Sequence, residues 1–381
     1  MKQYDNIRTL YDLHLLYEKN LRMNLKKMPK KFVCGIAVVA LTNCCIGQRS
    51  DNPMKSRLDS AVDKLVKIYM KDGQRVGVSI GVGCDGKSYT YNYGETSPGS
   101  GTLPTARSIY EIGSITKTFT GLLAAHALTE GRLTLNDDIR KYLPGSFSGL
   151  QYLSGEPVRI GYLLAHTSQL PNSFGDNIEE RTFYDALQNV KLDSLKGIRY
   201  SYSNVGYQLL GLILEKIYQT GYADLVRRYI TGPLKMNETG LRFEEKKLIF
   251  QLKGYGTDGK EEKATPVSVP GAGSLRSSVA DLLKYLHYQN LENTVPVRLS
   301  HRIIAGDVDQ GAHAFQWEVG KNWSWDQYLR IDGGTPGFRS FCVMYPLKKI
   351  EVVILSNQKD DTAGPGLYKI ATGIYAVLKN K

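Results

Sequence analysis

Strand-like segments lie near both ends of the chain with a long, mostly helical stretch between them, and this arrangement restricts the fold most. Residues 75–83 (RVGVSIGVG) alternate as a strand does, Asp85-Gly86 is a hairpin turn, and Lys87 to Tyr93 is its partner strand. Strand character returns at Tyr328–Ile331, Phe338–Tyr345 and Ile350–Leu355. A helix over residues 55–72, with Leu58, Val62, Leu65, Val66 and Tyr69 at helical spacing, precedes the first strands, and another over about 364–378 closes the chain. The expected fold is α+β, a mixed α/β class: one antiparallel sheet flanked by N- and C-terminal helices, with a mostly helical subdomain packed beside it. The folded region spans 48–381, with 55–118 and 320–381 as the sheet part and 119–319 as the helical insert. A cleft between two such parts is a common place for a site.

The first 47 residues read differently. Asn24 to Lys31 is basic, Phe32 to Leu41 (FVCGIAVVAL) is apolar, and small or polar residues follow, which is the order of a secretory signal peptide over 23–47. An apolar run of ten residues is too short for a membrane span, which needs about 20. The basic stretch sits far from Met1, so Met23 or Met28 is a candidate start, with 1–22 a mis-assigned leader. The expected product is exported, to the periplasm or beyond. Two outcomes stay open: cleavage after Gly47, or a lipid anchor on Cys44 or Cys45. The net charge of +12 falls to +7 once residues 1–47 are set aside. No basic run with interleaved aromatics follows residue 50, so nucleic acid is not an expected partner. Three of the five cysteines fall in the leader. The remaining pair, Cys84 and Cys342, makes neither a metal cluster nor a disulfide framework, and no metal or cofactor is called for.

Three motifs carry chemistry. Ser114 and Lys117 lie three residues apart where a helix begins (GSITKTFTGLLAA), so they share a face near the helix N-terminus, which favours negative charge. A lysine acts as a base only when neutral; lowering its pKa from about 10.4 toward 7 costs on the order of 4 kcal/mol. Burial and neighbouring groups can supply this. The spacing alone is weak, since Ser356 and Lys359 repeat it in a polar loop after a strand. The second motif is Tyr202-Ser203-Asn204, whose phenol suits proton relay and whose amide suits substrate contact. The third is Ile331-Asp332-Gly333-Gly334-Thr335, where a strand running into paired glycines lets backbone N–H groups approach a substrate closely.

In this order the motifs resemble the serine β-lactamase and penicillin-binding protein superfamily, most closely class C β-lactamases, family VIII esterases and related peptidases, over about 55–378. Gly131 to Asp138, Leu163-Leu164-Ala165-His166-Thr167-Ser168 and Gly271 to Leu275 support the likeness. The resemblance implies that Ser114 attacks an acyl carbonyl, that Lys117 and Tyr202 handle protons, and that Asn204 contacts the substrate. It further implies that the N–H groups of Ser114 and Gly334 hold the oxyanion, with Gly333 and Thr335 beside them, and that His166 is structural. It also implies that the last strand separates those carrying Cys84 and Cys342, so the two do not pair. The chain departs from the family at Ile331, where Lys or His is usual, and at Asp332, where a small polar residue is usual. An apolar Ile with an acidic neighbour suits substrate carboxylates poorly. The expected activity is therefore acyl-enzyme hydrolysis of a small-molecule ester or amide rather than a β-lactam. Alternatives are transfer of the acyl group to an alcohol, for example a polycyclic or sterol-like one, with Trp317, Trp323 and Trp325 as candidate pocket walls, though each taken singly reads rather as core; a D-Ala-D-Ala peptidase or β-lactamase; and a non-catalytic binding module.

Overall fold

A computed structural model describes residues 49–71, 75–175, 178–193 and 199–379. The leader, its cleavage point and Cys44 and Cys45 lie outside the described residues.

The six longest described helices are α1 (Arg57–Lys71), α2 (Thr116–Thr129), α3 (Glu180–Gln188), α4 (Asn204–Tyr218), α5 (Val279–Leu291) and α6 (Ala363–Leu378). The strands are β1 (Gly77–Cys84), β2 (Lys87–Gly94), β3 (Tyr110–Glu111), β4 (Arg276–Ser277), β5 (Ala305–Asp307), β6 (Gly311–His313), β7 (Glu318–Lys321), β8 (Gln327–Gly334), β9 (Arg339–Tyr345) and β10 (Ile350–Ser356). Eight of them form one antiparallel sheet in the order β2-β1-β10-β9-β8-β7-β6-β5, and β3 pairs with β4 separately.

The expected sheet is present, with its first and last parts joined side by side: β10 lies between β1 and β9. Strands β1 and β10 are buried along their whole length, because both sheet faces are covered. On one face Phe341, Val343 and Tyr345 pack with Leu58, Val62 and Val66 of α1 and Leu367, Ile370 and Ile374 of α6. On the other, Cys342, Met344, Ile331 and Leu355 join the larger core that holds α2, α4 and α5. The alternation along β9 thus splits between two cores, as the pleat requires. Gly81 leaves the room that Val279 and Leu283 of α5 occupy on β1. With β10 between their strands, Cys84 and Cys342 are both buried and are not joined to each other.

One boundary is corrected. The sheet resumes at Ala305, not near 320, because β5, β6 and the first half of β7 lie in the stretch that the sequence assigned to the helical insert. Each is only three or four residues long, and glycine breaks its alternation. Successive pairing, β7 on β8, β6 on β7 and β5 on β6, makes them strands, not local pattern.

Candidate active site

Ser114 sits where β3 turns into α2. Residues Gly113–Ile115 form a single 3-10 turn, and α2 starts at Thr116. Gly113 has a φ of +51°, and a Cβ there would lie 2.6 Å from the Gly334 nitrogen. Gly333 is equally confined, since its Cβ would meet the Ile112 carbonyl oxygen at 2.2 Å and the Ser114 nitrogen at 3.1 Å. The glycines let the end of β8 and the serine turn touch backbone to backbone, which sets the Gly334 and Ser114 amides beside each other.

Lys117 Nζ lies 2.9 Å from Ser114 Oγ and donates to the Ala272 carbonyl at 2.8 Å. The Tyr202 hydroxyl is 2.6 Å from the same Oγ. The structure therefore brings Ser114, Lys117 and Tyr202 onto one oxygen. Lys117 has no solvent exposure, and burial lowers its pKa to about 7. The negative charge of Asp332 opposes this shift. So does the Tyr202 ring, 4.8 Å from Nζ, because a ring face favours a cation. Loss of hydration outweighs both. Burial also raises the Tyr202 phenol, partly offset by its bond to Ser114, so it stays protonated near neutrality.

His166 holds the tyrosine. Its Nδ1 accepts the Ser203 N–H at 3.1 Å, so Nε2 donates to Gln316 Oε1 at 2.5 Å. The imidazole lies 4.5 Å from the Tyr202 ring between centroids. Burial, then the Lys117 charge, lowers its pKa to about 3, so His166 is a neutral spacer and not a proton carrier at pH 7. This agrees with the structural role expected for it; Gln316 as its partner was not visible in sequence.

Asn204 is the first residue of α4, after the cap Ser203, whose Oγ accepts the Gly206 N–H at 2.9 Å. Asn204 Nδ2 donates to Asn172 Oδ1 at 2.9 Å. A cleft of about 420 Å³ opens beside Ser114, with Asn204, Gly334 and Thr335 on its wall together with Lys263, Thr265 and Ser274. The Thr335 hydroxyl is buried and has no hydrogen-bond partner among the described residues. Ile331 is not on that wall: it is 7% exposed and packs in the larger core. Neither are the tryptophans. Trp317 is fully buried, in keeping with the core reading, whereas Trp323 and Trp325 are exposed in the β7–β8 turn and are neither core nor cleft wall. Ser356 of the repeated spacing is spoken for structurally, donating to the Gly77 carbonyl and accepting from the Tyr69 hydroxyl.

Glu111 was missed in sequence. Its buried carboxylate accepts the half-buried Thr265 N–H (2.8 Å) and hydroxyl (2.6 Å) and the Nη2 of buried Arg276 (3.0 Å). It ties a cleft-wall residue to the strand that leads into Ser114. A lone acid three residues before a serine gives no sequence signal, because its partners are more than 150 residues away.

The profile of the β-lactamase family matches residues 62–371. The chain belongs to the β-lactamase family. It is accordingly a serine hydrolase by family. A β-lactamase of Providencia stuartii is 26% identical over 337 residues, covering 78% of this chain and 86% of that protein. Protein flp of Staphylococcus aureus (strain N315) is 28% identical over 325 residues, covering 78% of this chain but only 62% of its own length. Two solved structures share the fold at 22% identity. A β-lactamase/D-alanine carboxypeptidase from Pseudomonas syringae has a TM-score of 0.75, covering 84% of this chain and 99% of that one. A class C β-lactamase has a TM-score of 0.76, covering 86% and 98%.

Proposed function

We propose that this chain is an exported acyl-enzyme hydrolase acting on an ester or amide whose acyl part carries no carboxylate beside the reacting bond. The observation that carries the chemistry is the shared Ser114 Oγ, 2.9 Å from a lysine whose pKa is near 7 and 2.6 Å from a neutral tyrosine. Neutral Lys117 takes the Ser114 proton as Oγ bonds to the acyl carbon. The Ser114 and Gly334 N–H groups hold the oxyanion. As the carbon–heteroatom bond breaks, Tyr202 gives its proton to the leaving group and is reprotonated from Lys117. Asn204 and Thr335 orient the donor. Water then takes the leaving group's place, and the same steps in reverse free Ser114. The leader order supports export.

The names of the relatives favour a second reading, a β-lactamase or D-alanyl-D-alanine peptidase. Against it, Ile331 puts a buried apolar side chain where the family carries Lys or His, and no described residue of strand β8 replaces that cation on the cleft side. With Trp323 and Trp325 away from the cleft, no wall residue favours transfer to a polycyclic alcohol over water.

Intact-mass measurement after treatment with an activated ester or an acyl phosphonate tests the chemistry. One adduct is expected on the native chain and none on Ser114→Ala; an unmodified native chain would leave only a binding module. Nitrocefin separates the substrate readings: efficient turnover by the native chain would overturn the ester or amide preference while leaving the acyl-enzyme intact.

A further inference from the structure

The end of the sheet farthest from the cleft carries an unusual surface. Trp323 and Trp325, in the β7–β8 turn, are 69% and 76% exposed, and Leu347, in the β9–β10 turn, is 86% exposed. The register of β8 and β9, with Leu329 opposite Met344, sets these turns side by side at the end opposite Gly334. Lys348 Nζ, 3.7 Å from Asp326, links them.

Lysines surround the apolar tips. Lys379, just past α6, holds its Nζ 3.4 Å above the Trp323 ring, and Lys321 Nζ lies 5.7 Å from the Trp325 ring. Exposed Lys349 and Lys87 flank the adjoining β1–β2 turn, where the Asp85 N–H donates to the Lys349 carbonyl. Asp85, Asp309 and Asp326 lie among these five lysines. Asp309 already pairs with Lys321, and Asp326 binds the Tyr375 hydroxyl and Lys348.

Protein–protein interfaces enrich tryptophan but deplete lysine. Indole rings with lysines stacked over them, on protruding turns, match the water–lipid boundary, where rings settle at headgroup depth and ammonium groups meet phosphates. We propose that this end of the sheet docks on an anionic lipid bilayer through Trp323, Trp325 and Leu347, with the lysines on the lipid phosphates. Strand β8 separates the turn from Gly334 by about 26 Å, so the docked protein presents its cleft away from the membrane.

Trp317 is fully buried and these are the chain's three tryptophans, so quenching of indole emission by brominated phosphatidylcholine reports on Trp323 and Trp325. The full chain is mixed with vesicles of that lipid, with and without phosphatidylglycerol. Quenching and a blue shift are expected only with phosphatidylglycerol, and high salt should reverse both. Lys349→Ala and Lys379→Ala should each weaken binding about fivefold, with ester hydrolysis unchanged as the check on folding. Absence of binding would overturn the proposal. So would vesicle binding without indole quenching, which would place the contact elsewhere in the chain. Lipid-free self-association abolished by Trp323→Ser would also overturn it, assigning the patch to a protein partner.

Discussion

Lys117 has no carboxylate in salt-bridge range among the described residues, so desolvation decides its protonation. Hydrolysis by way of Ser114 should therefore rise with pH through about 7, as the base loses its proton, and fall away below it. Lys117→Ala should lower kcat/KM by about 10²- to 10⁴-fold, measured with an activated ester on a variant whose circular dichroism is unchanged. Asp332 offers a finer check. It lies on the α6 face of β8, outside the cleft, yet its charge favours the protonated lysine. Asp332→Asn should lower the lysine pKa and shift the rising limb of the pH–rate profile to lower pH. A limb that moves upward or stays in place would remove Asp332 from the electrostatics of the base.

At the scale of elements, the turn ending at Ser168 and the start of α4 are joined through His166. It receives a backbone N–H from the α4 cap and packs on Tyr202. Losing the imidazole leaves the Ser203 N–H buried without an acceptor, a cost of about 1–3 kcal/mol. Since its folded pKa is about 3, below the usual value of 6.5, the unfolded chain binds a proton that folded His166 refuses. Its linkage is therefore silent above about pH 6.5, and stability is lost as pH falls from there toward 3. His166→Gln should be less stable than the native chain at pH 7 and show a shallower loss of stability between pH 7 and 4, read from urea midpoints. The repeated Ser356–Lys359 spacing shows why element context matters: the same four-residue pattern ends a strand and meets only structural partners.

At the scale of the whole molecule, segments distant in sequence meet at the serine turn. Glu111, Thr265 and Arg276 join β3, the cleft wall and β4. Breaking this buried pair by Arg276→Ala should cost about 3–5 kcal/mol, measured by urea unfolding, because it leaves the Glu111 carboxylate uncompensated. Much of the fold is legible in the residues themselves. The flanking helices, β1, β2 and β8 to β10 follow from alternation and helical spacing, since long half-buried elements print their burial on the sequence. Strands β5 to β7 do not, because strands of three or four residues carry too little pattern. Ser114, Lys117 and Tyr202 are found through motif order, whereas Glu111, Gln316 and the electrostatic reach of Asp332 are not, since each depends on partners far along the chain.

The sequence by itself determined which elements form, the order of the motifs and the pairing of a serine with a lysine one turn on. Those are local properties of spacing and hydrophobic period. Only the tertiary structure decided that Lys117 is dry enough to be a base, that Ile331 and Trp317 belong to the core, and that Trp323 and Trp325 lie at the far end of the sheet, away from the cleft. Burial and electrostatic environment are set by what the rest of the chain packs around a residue, and no short stretch of sequence contains that.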